Sequence, residues 1–358
     1  MKINKLSNMR ILRVKKVQNF IQQNNLDCFL VLNPTNRYYL SGFELKDVQY
    51  NESSGFLVIT KDNLFLFTDN RYLTSALELI DKNNIFIYHS DKFKYVIDIL
   101  KKKNIKSIGF EYNFFPYEFY FNLKKDFNLI GFQNVIESLR KIKDDFEIQR
   151  LRDSNSLVYK VFEILPKYFK VGQTEREIAW FIEKYFREHG ASEVSFPPIV
   201  AFGENSAKPH AVPSNRRLKQ DELILVDIGC RLNDYCSDQT RTFWFGKNPS
   251  DIFLHTLELV KEAQKKAIDF IKAGEKLKDA YFLVKNFFKE NGVENNFPHA
   301  LGHGIGLDTH EPPGIGRNDD VFEEGMVITI EPGLYDQKWG GIRWEYMGLV
   351  TKNGLQII

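Results

Sequence analysis

The sequence predicts a mixed α/β (α+β) chain of two domains, and three observations carry that expectation. Its 358 residues exceed what one ordinary core fills and suit two. A hydrophobic fraction of 43% with 31 phenylalanines supplies apolar side chains for both cores. Short apolar runs of β type alternate with stretches of helical period, and the charged segment SLRKIKDDFEIQRLRDSN interrupts them. The boundary falls near residue 140, giving domains 1–140 and 141–358.

In the first domain, residues 10–25 read as an amphipathic helix. The run LDCFLVL follows as a strand stopped by the turn residues Asn33 and Pro34, and GFLVI, LFLFT and IFIYHS read as further strands. The second domain begins with a helix near residue 144. Thr174 and Glu177 have the spacing of a capping box, opening the amphipathic run REIAWFIEKYFREHG, which Gly190 closes. From residue 195 short apolar runs, turns and glycines dominate, with one further helical block at 251–290 and no tandem repeat.

Composition excludes several classes. With 49 basic against 47 acidic residues the net charge is +2, which leaves no footprint for nucleic acid or an anionic membrane. No apolar run reaches the roughly 18 residues of a membrane span. The start, MKINKLSNMRILRVKK, has no apolar run behind its charges, so a signal peptide is not expected and a cytoplasmic location is. Cys28, Cys230 and Cys236 form no CxxC and fit reduced thiols.

The stretch HALGHGIGLDTHEPPG holds three of the chain's seven histidines. Gly302, Gly304 and Gly306 alternate through it, and each would cost a helix about 1 kcal/mol, so His299 and His303 do not form the i, i+4 pair of an HExxH site. An extended segment puts them on one face, with the glycines admitting another chain or a ligand.

Four acids sit in β-type runs. ELILVDIGCRLNDYCSDQTRTFWF reads as a hairpin turning at Leu232 and Asn233, which would set Asp227 opposite Asp238 at a Cβ separation of about 5 Å. GMVITIEPGLY puts Glu331 at the end of a strand, and GIRWEYMGLV puts Glu345 inside another. Burying such carboxylates is costly without a counter-charge. Four carboxylates and one imidazole suit two divalent ions with shared ligands, Mn(II) first, with Co(II) or Zn(II) as alternatives.

The set VDIG, SDQTRTF, GHGIGLDTHE, TIEPG and GIRWEYM resembles the dinuclear metallopeptidases of the prolidase, aminopeptidase P and methionine aminopeptidase superfamily. VSFPPIVAFGENSAKPHAVPSNRRL is similar to the family's His-x-x-Pro stretch, and LDCFLVLNPTNRYYLSGF resembles the start of a creatinase-like amino-terminal domain. The resemblance covers nearly the whole chain. It implies a creatinase-like domain followed by a pita-bread catalytic domain, with metal ligands Asp227, Asp238, His303, Glu331 and Glu345. Asp238 and Glu345 would bridge the ions. His299 and His310 would flank the substrate, His210 would lie on the opposite wall, and Arg343 would orient the bridging acid. The family usually has an acid after the last glutamate, where this chain has Tyr346; in a strand it would point away from Glu345.

Such a site hydrolyses a peptide bond: two ions activate a shared water as hydroxide and polarise the carbonyl, with Glu331 as general base and His310, with His210, stabilising the oxyanion. By the same resemblance the leading expectation is an Xaa-Pro aminopeptidase acting on peptides with proline second, and a homodimer. The alternative is an Xaa-Pro dipeptidase, which needs a cation for the proline carboxylate; Arg37, Arg71 and His210 are its candidates. A metal-free creatinase-type hydrolase or a non-catalytic binding module would lack ligands that are all present here, and the extra domain disfavours a methionine aminopeptidase.

Overall fold

The computed structural model describes residues 7–47, 49, 52–89 and 91–358. It divides into two compact units, Met1–Arg140 and Lys141–Ile358. Residues 1–6 of the expected leaderless start, and Ser90 at the end of IFIYHS, lie outside the described residues.

The first unit runs α1 (Asn8–Gln23), β1 (Cys28–Val31), α2 (Pro34–Ser41), β2 (Phe56–Thr60), β3 (Leu64–Thr68), α3 (Leu73–Leu79), β4 (Ile85–Ile87), α4 (Lys92–Lys102), β5 (Ser107–Glu111), α5 (Tyr117–Leu123), β6 (Asn128–Phe132) and α6 (Glu137–Arg140). Its six strands form one mixed sheet in the order β4-β3-β2-β1-β5-β6. Local chemistry sets the joints: Asn33 caps α2, Pro34 takes its first position, and Gly42 closes it in the left-handed conformation. Arg37 is fully buried, and its donors meet the carbonyls of Phe43, Glu44 and Gly55 and the Asp47 carboxylate. That ties it to the fold and removes it as a candidate for a substrate carboxylate. Arg71 is exposed and paired with Asp69 and Glu52.

The second unit runs α7 (Asp145–Tyr168), α8 (Glu175–Glu188), β7 (Glu193–Val194), β8 (Ile199–Phe202), β9 (Glu222–Ile228), β10 (Cys230–Leu232), β11 (Tyr235–Cys236), β12 (Gln239–Phe245), α9 (Asp251–Phe270), α10 (Leu277–Glu290), β13 (Gly302–Gly304), β14 (Glu311–Ile315), β15 (Val327–Ile330), β16 (Gly333–Asp336), β17 (Gly340–Arg343), β18 (Tyr346–Val350) and β19 (Leu355–Ile357). Capping boxes open both α7, from Asp144 and Glu147, and α8, from Thr174 and Glu177. One core joins α7 and α8 to β8 and β9 through Val158, Ile182, Val200 and Val226. A second joins α9 and α10 to the later strands through Val260, Val284, Ile328 and Ile342.

Three local expectations change. The block at 251–290 is two helices, because Ala273 and Gly274 donate their N–H groups to Thr351 and Phe322 instead of continuing the helix, and Gly274 has a φ of +98°. The hairpin turns at Asn233 and Asp234, both at positive φ, a conformation these side chains tolerate and Leu232 would not. Asp227 therefore lies opposite Thr240, not Asp238. Glu345 lies outside any strand, in the step between β17 and β18. Among the described residues, no helix is long and apolar enough to cross a membrane.

Candidate metal centre and active site

The five candidate ligands come from places where β-structure ends or breaks. Asp227 is near the end of β9, Asp238 just precedes β12, His303 is the middle of β13, Glu331 follows β15, and Glu345 precedes β18. Strands deliver the side chains, while their interruptions free the backbone to turn them inward. The glycines around His303 serve a neighbouring chain: a Cβ on Gly302 would collide with the Thr329 carbonyl, and one on Gly304 with the Pro312 carbonyl. The short β13 carries only His303; His299 lies before it, with Nε2 3.1 Å from the Tyr335 hydroxyl.

His303 Nε2 lies 3.5 Å from both Asp238 Oδ2 and Glu331 Oε1. Donor atoms of Asp238, His303 and Glu345 all lie within 4.8 Å of one another. The His303 Nδ1 is 3.0 Å from the Gly304 carbonyl; an N–H there leaves a lone pair on Nε2 facing the two carboxylates. A lone pair and carboxylates converging on one point fit a cation and little else. Buried oxygens agree, since Asp227 Oδ1 and Glu345 Oε1 make no hydrogen bond. Burial first, then the neighbouring acids, hold the Asp238 and Glu345 carboxyls well above the usual carboxylate range. The residues present thus fit divalent cations.

Their supports are equally specific. Thr240 Oγ1 donates to Glu345 Oε2 at 2.7 Å, and Thr329 Oγ1 donates to Glu331 Oε1 at 3.3 Å while accepting from the His303 N–H. Arg343 Nη2 donates to Asp227 Oδ2 at 2.6 Å, its Nε donates to Thr240 Oγ1, and its Nη1 donates to the Tyr335 hydroxyl and the Pro209 carbonyl. It holds Asp227 directly and reaches Glu345, one of the two expected bridging acids, through Thr240. Tyr335 accepts from Arg343 and lies 3.1 Å from His299 Nε2. Burial pushes the Tyr335 phenol up to about 12 and His299 below its usual value.

His310 stacks at a tilt over His303, with ring centroids 4.1 Å apart. Desolvation first, then the proximity of the His303 ring, lowers its pKa. His210 is exposed on the loop after β8, and its charge bears on both His299 and His310. Sequence reasoning missed Thr240, Thr329 and Tyr335. Thr240 and Thr329 each sit two residues from a candidate ligand, a spacing that period-two reading could have found. Tyr335 lies in β16, which starts at Gly333 just after Pro332.

Residues 149–352 match the model of metallopeptidase family M24, and residues 13–142 that of the creatinase/prolidase N-terminal domain. The chain is 35% identical over 347 residues to an Xaa-Pro dipeptidase of Pyrococcus horikoshii, covering 96% of this chain and 95% of that protein. Among solved structures, an Xaa-Pro dipeptidase from Bacillus anthracis superposes with a TM-score of 0.90 at 31% identity, covering 97% of both chains. An X-Pro aminopeptidase from Thermotoga maritima superposes with a TM-score of 0.84 at 30% identity, covering 93% of this chain and 95% of that one. The first unit is a creatinase-type domain and the second has the pita-bread fold. With its carboxylates and His303 converging as divalent-metal ligands do, the chain belongs to metallopeptidase family M24 and is a peptide-bond hydrolase.

Proposed function

We propose that the protein is an Xaa-Pro dipeptidase that hydrolyses the bond before a C-terminal proline. The reading departs from the aminopeptidase expectation and takes its alternative, because similarity to proteins named as dipeptidases extends over nearly the whole chain. The observation that carries the chemistry is the convergence of His303 Nε2 on two carboxylates, with orphaned carboxylate oxygens beside it.

Asp227, Asp238, His303, Glu331 and Glu345 would hold two divalent ions, Mn(II) first and Co(II) or Zn(II) as alternatives, with Asp238 and Glu345 shared. When bound, such ions supply Lewis-acid polarisation of a carbonyl and acidify water toward neutral pH. Glu331 takes the proton of the attacking water and delivers it to the proline nitrogen as the C–N bond breaks and the new C–O bond forms. His310 and His210 donate hydrogen bonds to the oxygen that gains charge, and His299 borders the substrate, its ring held by Tyr335. Arg343 fixes Asp227 by a charge-assisted hydrogen bond. Residues 1–140 form the creatinase-like domain and 141–358 the catalytic one, a division supported by the compact units and the matched ranges. We place the enzyme in the cytoplasm as a homodimer.

The test is hydrolysis of Ala-Pro and Ala-Pro-Ala-Ala by Mn(II)-loaded protein. Cleavage of the dipeptide with little alanine from the longer peptide is expected. Preference for the longer peptide would restore the aminopeptidase reading, which the Thermotoga maritima structure favours.

A further inference from the structure

Like Asp238 and Glu331, Glu345 is set in a step between two sheets. β17 pairs with β16 as far as Arg343, β18 pairs with β15 from Tyr346, and Trp344 and Glu345 belong to neither ladder. Two buried side chains supply what the ladders do not. Gln264, on α9 and 3% exposed, donates through Nε2 to the Trp344 carbonyl at 2.8 Å and to the Ile330 carbonyl at 2.9 Å. Those two residues immediately precede Glu345 and Glu331, so one amide braces the approach to both glutamates. Arg241, 7% exposed, donates through Nη1 to the Glu345 carbonyl at 2.5 Å and to the Thr240 carbonyl at 2.8 Å, and through Nη2 to Gln239 Oε1.

The charge of Arg241 rests on rings. Its guanidinium lies 4.4 Å from the Tyr346 centroid, 4.9 Å from Trp344, 5.2 Å from Phe162 and 5.8 Å from Tyr159. Contacts of this kind are strongest where, as here, the cation is desolvated. The planar fork can meet two carbonyls and an amide while its faces lie against π-systems, which an ammonium point charge does less well. Tyr346, the residue after Glu345, is thereby one wall of this cage.

We infer that Arg241 and Gln264 are positioning residues of the metal centre, clamping the Trp344–Glu345 step from two sides so that the Glu345 carboxylate is preset for metal. The inference rests on the metal-centre reading of the preceding section. Neither side chain touches the ions or the substrate. Their effect is on affinity for metal, because a ligand held loosely must be ordered each time an ion binds.

The experiment is Co(II) titration of the metal-stripped full-length protein, followed by visible absorption, for wild type, Gln264→Met, Arg241→Met and Arg241→Lys, with thermal unfolding of each metal-free form alongside. Groups that orient metal ligands typically contribute about 10–100-fold in affinity, and a loss in that range is expected for both methionine variants. Arg241→Lys recovers part of it by keeping a cation in the cage. Co(II) affinities within about twofold of wild type, whatever the change in melting temperature, would overturn the inference and leave the metal centre intact. Absence of Co(II) binding by wild type would overturn both. If Arg241→Met does not fold, the Gln264→Met isotherm decides.

Discussion

Glu175 is fully buried at the start of α8, far along the chain from every candidate ligand, yet it organises the loop that carries His210. Its Oε1 accepts from the Phe202 N–H at 2.8 Å and the Asn205 amide at 3.0 Å. Its Oε2 accepts from the same amide, from the Ser214 N–H at 2.8 Å and from the Ser214 hydroxyl at 2.7 Å. The substitution Glu175→Gln preserves shape and replaces one acceptor with an NH2. Whichever way that amide turns, it sets a donor against the backbone N–H of Phe202 or of Ser214, neither of which can turn to accept, as the Ser214 hydroxyl and the Asn205 amide can. Leaving one such buried donor unpaired costs roughly 1–3 kcal/mol. The strain falls on 202–214, so hydrogen exchange at the Phe202 and Ser214 amides of the intact protein should speed by about tenfold or more, one factor of ten per 1.4 kcal/mol. Dipeptide hydrolysis should slow as His210 loses its fixed position. Unchanged exchange at both amides with unchanged hydrolysis would refute this account of the loop.

Other expectations follow from the same structure. Glu331→Gln should lower the rate of Ala-Pro hydrolysis by about 10²–10⁴-fold, the span typical of a lost general base, as read from steady-state kinetics. Tyr335→Phe cuts the hydroxyl that links Arg343 to His299, so kcat should fall while metal content, measured by atomic absorption, holds. In the first unit, burial pushes Glu111 up to about 7 from an ordinary 4.5. Its folded pKa exceeds the unfolded one, so the stability it contributes is full below about pH 4.5 and is lost as pH rises through about 7, by up to about 3 kcal/mol. Denaturant unfolding of wild type between pH 5 and 8 should show that decline, and Glu111→Gln should flatten it.

Local chemistry was legible wherever it was self-contained. The box between Thr174 and Glu177 needs only its own four residues, and both reciprocal hydrogen bonds form. Apolar runs such as LFLFT became strands because period and burial agree along them. What could not be read depends on partners distant in sequence. The interruption between α9 and α10 is made by the carbonyls of Thr351 and Phe322. The register of the Asp227 hairpin hinges on which two residues take positive φ, and a shift of one turn position moved the partner of Asp227 from Asp238 to Thr240. Glu345 looked like a strand residue because its neighbours are apolar, while the hydrogen bonds around it come from Thr240 and Arg241 on β12 and Gln264 on α9. At the site, the candidate ligands stood out as acids in apolar runs; Tyr335 did not, because nothing local marks which partners a buried hydroxyl will meet.

The central claim is that these acids and His303 hold the metal on which proline-dipeptide hydrolysis depends. It is tested most directly by stripping the protein with a chelator and measuring Ala-Pro hydrolysis as Mn(II) is returned, with Asp238→Asn in parallel. The stripped protein is expected to be inactive and to regain activity in a rise that saturates near two equivalents per chain; the variant is expected to show no such recovery. Full activity in the stripped protein, or equal recovery in Asp238→Asn, would contradict it.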